Sequence, residues 1–349
     1  MLRISDIFKK IKEEKDKANA AAQNQGQANP EPAQETQAST PDPQEKNPPS
    51  SSAKVSISQA INKELTRISA TDIGELYAKG LFYAKRLYKV DLQYEEGIIA
   101  NITTFVEKII DLLEAGNKDL LRYCLADYSG SEDYIYCHAI NTCVIALEMG
   151  KGLGYEHARL VELGIAAFVH DLGLIKFLDV INRKDILSKE ELDKLRQHPY
   201  SGVEMLGKFS KEVSHNVFEV IKQEHERADG SGYPQCLKGD QITEYARVIG
   251  LADVYEAMTH KRPYRMRHNP LETIKTILGS KASFDARIIK VLIERIGVFP
   301  MGTLCRLNTK EIALVLKENP NLPLRPTVKI MFDAYGKELA EQRQVNLAD

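Results

Sequence analysis

Apolar residues recur every three or four positions between residues 55 and 296, a spacing typical of amphipathic helices. The predicted helices are residues 73–87, 98–113, 134–150, 155–172, 189–206, 213–225 and 243–258. Ser188 and Glu191 form an S-x-x-E capping box at the start of one of them. The pattern predicts a mostly α fold, with a helical N-terminal module at 54–129 and a larger helical domain at 130–299.

The helical pattern is replaced by other patterns in two places. Residues 226–239 are rich in glycine and proline, which predicts a loop with several turns. After Gly297 the apolar period changes to two, which predicts short strands. The expected strands are residues 303–307, 311–317 and 327–332. They would form a small antiparallel β appendage at 300–349.

The first 53 residues contain two regions of different character. Residues 1–19 are predicted to form a short amphipathic helix, with lysines opposite the apolar face of residues 1–17. Two interpretations stay open: an anchor for a partner or a membrane surface, or an isolated helix without a target. Residues 20–53 have too few apolar side chains to offset chain entropy, so we predict a disordered linker.

Composition argues against several classes of protein. The formal net charge is -2, so no chain-wide basic field favours DNA or RNA as a partner. The 5 cysteines are scattered without a C-x-x-C pair, which favours reduced thiols in a cytoplasmic protein. No apolar run reaches the roughly 20 residues that span a bilayer, and the charged N-terminus does not match a signal peptide.

An adjacent imidazole and carboxylate, His170 and Asp171, lie in a very apolar helix. Burying a carboxylate is costly unless it is paired or bound to a cation; taken alone, Asp171 also fits a local helix cap. Similar side chains recur on successive helices in apolar settings: His138, His198, His225 and Asp253. Helix bundles build metal sites from one or two ligands per helix, and ligands without thiolates suit Mn, Fe or Zn.

Two motifs resemble those of a known family. His170-Asp171-Leu172-Gly173 resembles an HD signature, and residues 226–234, Glu-Arg-Ala-Asp-Gly-Ser-Gly-Tyr-Pro, resemble a GYP signature. With these motifs the chain is similar to HD-GYP proteins, which are phosphodiesterases of the bacterial second messenger cyclic di-GMP. The resemblance covers about residues 134–336 and includes Arg262-Pro263-Tyr264-Arg265. It implies an HD-type helical bundle for the central domain.

The resemblance also implies two divalent metal ions as cofactors, iron or manganese, and a set of residues that hold them. The first ion would be held by His138, His170, Asp171 and Asp253. Asp171 would bridge to a second ion, which would be held by His198, Glu224 and His225. A metal-bridging hydroxide would attack phosphorus, with His170 and Asp171 at the catalytic centre.

Substrate phosphates would be bound by arginines. Arg262 and Arg265 match family positions that contact phosphate, and Arg183 lies in a loop that could add positive charge. The fixed charge and forked donors of guanidinium suit this role.

Several positions depart from the family pattern. Leu174 replaces a lysine after the HD motif, and Lys176 would point away from the site on a helix. Glu224 replaces a histidine of the second metal shell and, as a hard anionic ligand, favours Fe or Mn. Ala228 replaces a Trp or similar residue, and Tyr134 replaces the Glu of members with three metals, so two ions are expected.

Two functions are compatible with these departures. The first is metal-dependent hydrolysis of cyclic di-GMP to pGpG and onward to GMP. The alternative is a degenerate HD-GYP protein that acts as a weakly active or inactive nucleotide receptor or protein-interaction module. The partners implied are cyclic di-GMP, a diguanylate cyclase domain docked on the GYP loop, and a second copy of the chain in a homodimer.

Overall fold

The computed structural model describes residues 72–117, 119–124, 134–181, 188–260, 268–280, 282–319 and 321–349. The helix and linker predicted for residues 1–53 lie outside the described residues, as do Arg183, Arg262 and Arg265. The described chain is mostly helical and ends in a four-stranded antiparallel sheet, which confirms the predicted fold class.

The helices of the described ranges are α1 (Asp72–Leu87), α2 (Ile98–Glu114), α3 (Asp119–Cys124), α4 (Tyr134–Gly152), α5 (His157–Val169), α6 (Leu178–Ile181), α7 (Lys189–Leu195), α8 (His198–Leu206), α9 (His215–Gln223), α10 (Glu244–Thr259), α11 (Pro270–Gly279) and α12 (Ala286–Ile296). Short 3-10 helices occupy Leu172–Phe177, Gly207–Phe209 and Gly239–Gln241. None of these helices is long and apolar enough to cross a membrane.

Most predicted helices are confirmed, but the single helix predicted for residues 189–206 is wrong. The chain forms α7 and α8 instead, with Arg196 and Gln197 between them. Pro199 lies in the first turn of α8, where its missing N–H and fixed φ favour a helix start. The capping box is confirmed: Glu191 N donates to Ser188 Oγ at 3.2 Å, and Ser188 N donates to the Glu191 carboxylate at 2.8 Å.

The hydrophobic core is centred on α4, in which every residue from Cys137 to Gly150 is buried. Helices α5, α10 and α12, which follow α4 in the sequence, pack around it. Helices α1 and α3, which precede α4, also pack against it. Helix α2 packs against α5. The buried side chains of α1 and α2 belong to the same hydrophobic cluster as those of α4 to α12, so one continuous core runs through both groups of helices.

The C-terminal sheet has the order β1 (Leu304–Arg306), β2 (Ile312–Lys317), β3 (Thr327–Phe332) and β4 (Glu338–Asn346), each strand antiparallel to the next. Small apolar clusters lie on its two faces. The three predicted strands are confirmed, and β4 was not predicted. It is an edge strand whose residues are all at least partly exposed, so it lacks the apolar alternation that identifies a half-buried strand.

Candidate metal centre

The predicted metal ligands come from five places on the helices: the interior of α4 (His138), the end of α5 (His170 and Asp171), the start of α8 (His198), the end of α9 (Glu224 and His225) and the interior of α10 (Asp253). The helix predicted for residues 155–172 ends earlier, at Val169. His170 and Asp171 therefore lie where the chain tightens into the 3-10 helix Leu172–Phe177. Helix ends are places where side chains from successive helices can converge.

The first cluster consists of His138, His170, Asp171 and Asp253, whose ligand atoms all lie within 4.8 Å of one another. Nε2 of His138 is 3.4 Å from Oδ2 of Asp171 and 3.2 Å from Oδ1 of Asp253. Nε2 of His170 is 3.5 Å from the same Oδ2 of Asp171. Two ligands at about 2.1 Å from one ion are themselves about 3.0–3.4 Å apart, so these separations suit one cation.

The second cluster consists of Asp171, His198, Glu224 and His225, again with ligand atoms within 4.8 Å of one another. Oδ1 of Asp171 is 3.3 Å from Nε2 of His198 and 3.6 Å from Nε2 of His225. Oε1 of Glu224 is 2.7 Å from Nε2 of His225 and 3.9 Å from Nε2 of His198. The structure therefore places Glu224 among the candidate ligands of the second cluster, where the family resemblance implies a ligand.

Asp171 belongs to both clusters through different oxygen atoms. Its Oδ2 faces His138 and His170, and its Oδ1 faces His198 and His225. A carboxylate can ligate through each oxygen separately. This geometry is the one expected of a carboxylate that bridges two cations.

Backbone carbonyls fix which nitrogen of the imidazoles faces the clusters. Nδ1 of His170 lies 2.8 Å from the carbonyl oxygen of Ala167, and Nδ1 of His198 lies 2.9 Å from that of Leu195. A carbonyl oxygen can only accept, so each Nδ1 carries the proton and donates. The lone pair of each Nε2 is then directed at a cluster, which is the usual outer-shell arrangement of metal-bound histidine.

Buried polar atoms without a partner test whether cations fit these clusters. Nε2 of His138 and His170, Oδ1 of Asp171 and both carboxylate oxygens of Glu224 are buried and have no hydrogen-bond partner among the described residues. Glu224 and His225 are close, but their atoms are not directed as in a hydrogen bond. Leaving such groups unsatisfied is costly in a protein interior. All of these atoms face the two clusters, so the donor set fits two divalent cations.

The carboxylates give the clusters a strong affinity for positive charge. Burial alone would lower the pKa of His225, but the nearby carboxylates of Glu224 and Asp171 raise it to about 10. Burial alone would raise the pKa of Asp253, but His138 beside it lowers the pKa to about 2. Burial also opposes ionisation of Asp171, yet the surrounding imidazoles hold its pKa well below the usual range.

Two residues of the centre were missed by sequence reasoning. Glu256 is buried and its carboxylate contacts Nδ1 of His138 on the side away from the first cluster. Its spacing of three residues from Asp253 on one helix face was the available signal. Tyr233 stacks its ring on that of His225, with centroids 4.7 Å apart and planes 24° apart. The GYP motif identified Tyr233 as a loop residue but not as the neighbour of a ligand.

A close backbone contact places His198 beside the HD turn. A Cβ added to Gly173 would lie 1.9 Å from the carbonyl oxygen of His198 and 2.6 Å from the amide nitrogen of Gly202. Only glycine permits this approach between the 3-10 helix and α8. The sequence His170-Asp171-Leu172-Gly173 therefore allows His198, the first residue of α8, to lie beside Asp171.

The GYP loop is closed by a buried carboxylate. Glu226 accepts hydrogen bonds from the backbone amides of Gln235, at 2.6 Å, and Leu237, at 2.9 Å. At the exposed end of the loop, Asp229 accepts hydrogen bonds from the amide and the hydroxyl of Ser231. These bonds hold the segment that carries Tyr233 against the second cluster.

Two basic side chains near the centre, Lys176 and Arg196, have different surroundings. Lys176 donates to Glu204 at 2.9 Å in an ion pair near the surface, and Leu174 packs against the hydrophobic core. Neither supplies a cation in place of the lysine of the family pattern. Arg196 lies with its guanidinium carbon 5.6 Å from the centroid of the Tyr233 ring, which is a contact that the sequence did not indicate.

Comparisons with known proteins identify two domain types in this chain. Residues 121–288 match the family model described as "HD domain", and residues 304–349 match the model described as "KOW domain associated with HD domain". The chain is 31% identical over 243 residues to a cyclic di-GMP phosphodiesterase of Pseudomonas aeruginosa. The aligned region is 68% of this chain and 58% of that protein. Residues 121–288 therefore form an HD domain, and the GYP motif at residues 226–234 makes the chain similar to HD-GYP proteins.

Other similar proteins include a second phosphodiesterase and a solved structure. A cyclic di-GMP phosphodiesterase of Borreliella burgdorferi is 27% identical over 198 residues, 55% of this chain and 52% of that protein. The chain thus spans somewhat more than half the length of these curated relatives. A solved HD-GYP-type structure from Bdellovibrio bacteriovorus shares the fold, with a TM-score of 0.52 and 16% identity over 69% of this chain and 79% of that chain.

Proposed function

We propose that this chain is a two-metal phosphodiesterase that hydrolyses cyclic di-GMP. The observation that supports it best is Asp171, whose two carboxylate oxygens face two separate groups of buried ligand atoms. Such paired sites are typical of enzymes that cut phosphodiester bonds. The names of the relatives in Pseudomonas and Borreliella supply the substrate class.

In this proposal each cluster holds one divalent cation. His138, His170 and Asp253 would hold the first, His198, Glu224 and His225 the second, and Asp171 both. The chemistry that two bound divalent cations supply is polarisation of the phosphodiester and a lower pKa for water. Both clusters contain imidazoles and carboxylates only, a donor set that favours Fe or Mn over softer metals.

Substrate phosphates would be contacted by cationic side chains at the rim of the centre. Arg196 lies over Tyr233, which in turn stacks on the ligand His225, so its guanidinium is close to the second cluster. Its side chain is 55% exposed, so it can reach a bound anion. Arg262, Arg265 and Arg183 complete the proposed set of phosphate contacts on the strength of the family resemblance. Asp171 and His170 lie at the reacting phosphate in this proposal.

The test is a metal and turnover assay on the full chain. The protein is purified without oxygen, Fe and Mn are counted per chain, and cyclic di-GMP incubated with Fe(II) or Mn(II) is followed by chromatography. We expect two ions per chain and accumulation of pGpG, followed by GMP. Asp171→Asn should lose both the ions and the turnover, whereas Asp179→Asn, an exposed acid on α6, should keep them.

If the chain binds cyclic di-GMP but does not hydrolyse it with Fe(II) or with Mn(II), the result contradicts the proposed enzymatic activity and favours the receptor alternative. The specific feature behind that alternative is Leu174, which packs on the core where the family pattern has a phosphate-directed lysine. Loss of one such donor costs about 10²–10³ in rate in a comparable case. Slow turnover, at about that fraction of a lysine-containing relative, therefore stays within the enzyme proposal.

The GYP loop is also the proposed docking surface for a diguanylate cyclase domain. Ser231 is exposed at the end of this loop, so a bulky side chain there would obstruct a partner without entering the core. Ser231→Trp should abolish capture of such a domain in a pull-down. Capture at the wild-type level would rule out the loop as the docking surface.

A further inference from the structure

A chain of buried polar side chains connects the N-terminal helix α1 to the first cluster. The hydroxyl of Tyr77, on α1, donates to Oδ1 of Asn141, on α4, at 2.9 Å. Nδ2 of Asn141 donates to Oε1 of Glu256, on α10, at 3.0 Å. The other carboxylate oxygen of Glu256 contacts Nδ1 of His138. We refer to Tyr77, Asn141, Glu256 and His138 as the relay.

The direction of every hydrogen bond in the relay is determined. The Glu256 carboxylate accepts from both neighbours, so Asn141 must present its NH₂ to Glu256 and its oxygen to Tyr77. Nδ1 of His138 then carries the proton, and its Nε2 lone pair faces Asp171 and Asp253. The relay therefore selects the tautomer in which His138 can bind a cation.

Burial makes these bonds energetically important. Tyr77 is 2% exposed, Asn141 1%, Glu256 3% and His138 4%. A buried polar group that loses its partner retains the full cost of its desolvation. A change at Tyr77 is therefore not compensated by water, and its effect reaches the neighbouring groups of the relay.

A second residue, His260, lies between Glu256 and the N-terminal helix α3. His260, which follows α10, places Nδ1 3.2 Å from Oε1 of Glu256 and Nε2 2.8 Å from the carbonyl oxygen of Cys124, the last residue of α3. Glu256 is therefore in contact, through one residue each, with α1 and with α3. Both helices precede the helix that carries His138.

We propose that Glu256 is a positioning residue for His138, and that Tyr77 and Asn141 hold Glu256 so that the N-terminal helices set the metal affinity of the first cluster. The inference rests on the proposed metal centre. A carboxylate on the outer nitrogen of a metal-bound histidine fixes the ring and raises its basicity. Helix α1 thus acts on a cation that it does not touch.

The experiment is a titration of metal-free full chain with Mn(II), in which electron paramagnetic resonance measures the free ion. Glu256→Gln keeps the shape and one acceptor but removes the charge. It should weaken one of the two ions about 10–100-fold, the range for outer-shell partners of metal ligands, and leave the other within about twofold. Tyr77→Phe should weaken the same ion about fivefold, the scale of one net hydrogen bond.

Two controls separate positioning from general loss of structure. Tyr83→Phe alters a tyrosine on the same helix, whose ring packs against Phe105, and should leave both affinities unchanged. Adding Tyr77→Phe to Glu256→Gln should cause no further loss, because Tyr77 acts through Glu256. A merely structural role for Tyr77 would instead give additive losses.

Two results would overturn the proposal while leaving the metal centre intact. One is a Glu256→Gln chain that binds both ions as the wild type does. The other is a Tyr77→Phe chain that cannot be distinguished from Tyr83→Phe. A wild-type chain that binds no Mn(II) would be a different failure, because it removes the metal centre and the relay with it.

Discussion

Oε1 of Glu224 lies 2.7 Å from Nε2 of His225, the next residue in the chain. Both side chains turn inward from the end of α9, and both carboxylate oxygens of Glu224 are buried without a hydrogen-bond partner among the described residues. The HD-GYP pattern that this chain resembles has paired histidines here. The acid adds a negative charge to the second cluster, and a cation is the natural means of balancing it.

Glu224→Gln should therefore reduce the metal content from two ions to one per chain. The amide has the same shape but carries no charge, and it is a weak ligand compared with carboxylate. Inductively coupled plasma mass spectrometry of the purified variant measures the loss. Glu219→Gln is the control, because that acid lies on the same helix and pairs with Lys222 at 2.8 Å. Two ions retained by Glu224→Gln would show that Glu224 is not a ligand.

Arg196→Gln should raise the KM for cyclic di-GMP about tenfold while the metal content stays unchanged. The guanidinium lies beside Tyr233 and the second cluster, and loss of a charge-assisted contact to phosphate is worth about 1.5–3 kcal/mol. Steady-state kinetics at two ionic strengths measure the effect, which should shrink as salt screens the charge. Lys194→Gln, on exposed α7, is the matched control. Equal KM values for the two variants would exclude Arg196 as a phosphate contact.

Gly173→Ala should destabilise the fold by at least about 2 kcal/mol, because overpacking against rigid backbone has that scale. The new Cβ would meet the carbonyl oxygen of His198 at 1.9 Å, so α8 must move and the shared Asp171 loses its neighbour. Urea unfolding and metal analysis measure both effects. Gly207→Ala is the control: apart from its chain neighbours and local helix backbone, its Cβ would have no heavy atom within 4 Å, and its φ of -54° is helical. A Gly173→Ala chain with normal metal content would mean that this contact does not position His198.

Asp229 should stabilise the GYP loop over a defined range of pH. Hydrogen bonds from the Ser231 side chain and amide and from Ser283 lower the pKa of Asp229 from 3.8 to about 2. A carboxylate with a depressed folded-state pKa contributes stability that is present above its unfolded pKa and is lost as the pH falls through the folded value. The stability difference between wild type and Asp229→Ala should be constant from pH 8 to about 5 and vanish towards pH 2.

The measurement for Asp229 is urea unfolding at a series of pH values, with a small amplitude because the side chain is exposed. Asp229→Asn is the informative comparison, since its amide oxygen can still accept from Ser231. A difference between wild type and Asp229→Ala that grows as the pH falls below 4 would have the wrong sign and would contradict this account.

Helical periodicity predicted the positions of the long helices because each has a broad apolar face. It missed the break at Arg196 and Gln197, since the apolar positions continue through both short helices; Pro199 was the signal that a new helix begins. It missed β4 because that strand carries polar residues on an exposed sheet edge. Period alone cannot detect an element that buries no continuous face.

The candidate histidine and aspartate ligands could be singled out because such side chains in apolar runs are rare and costly, whereas Glu224 was added only through the family resemblance. Glu256 escaped detection, since one glutamate on a helix is most often a solvated surface residue. Its role depends on Asn141 and Tyr77, which are far away in the sequence and reach Glu256 only through packing. Contacts of this kind lie beyond any local pattern.

The continuous core that runs from α1 to α12 has a consequence for how this chain can be divided. The matched HD domain begins at residue 121, but α1 and α2 form a wall of the bundle, with Gly80 against Phe105 and Ile140 and with Gly164 against Val106. These helices are therefore part of the same folded unit as the HD domain and not a separate domain attached to it. A ligand that binds to α1 or α2 would therefore act on the packing of α4, the helix that carries His138. No movement of a separate domain is needed for this effect.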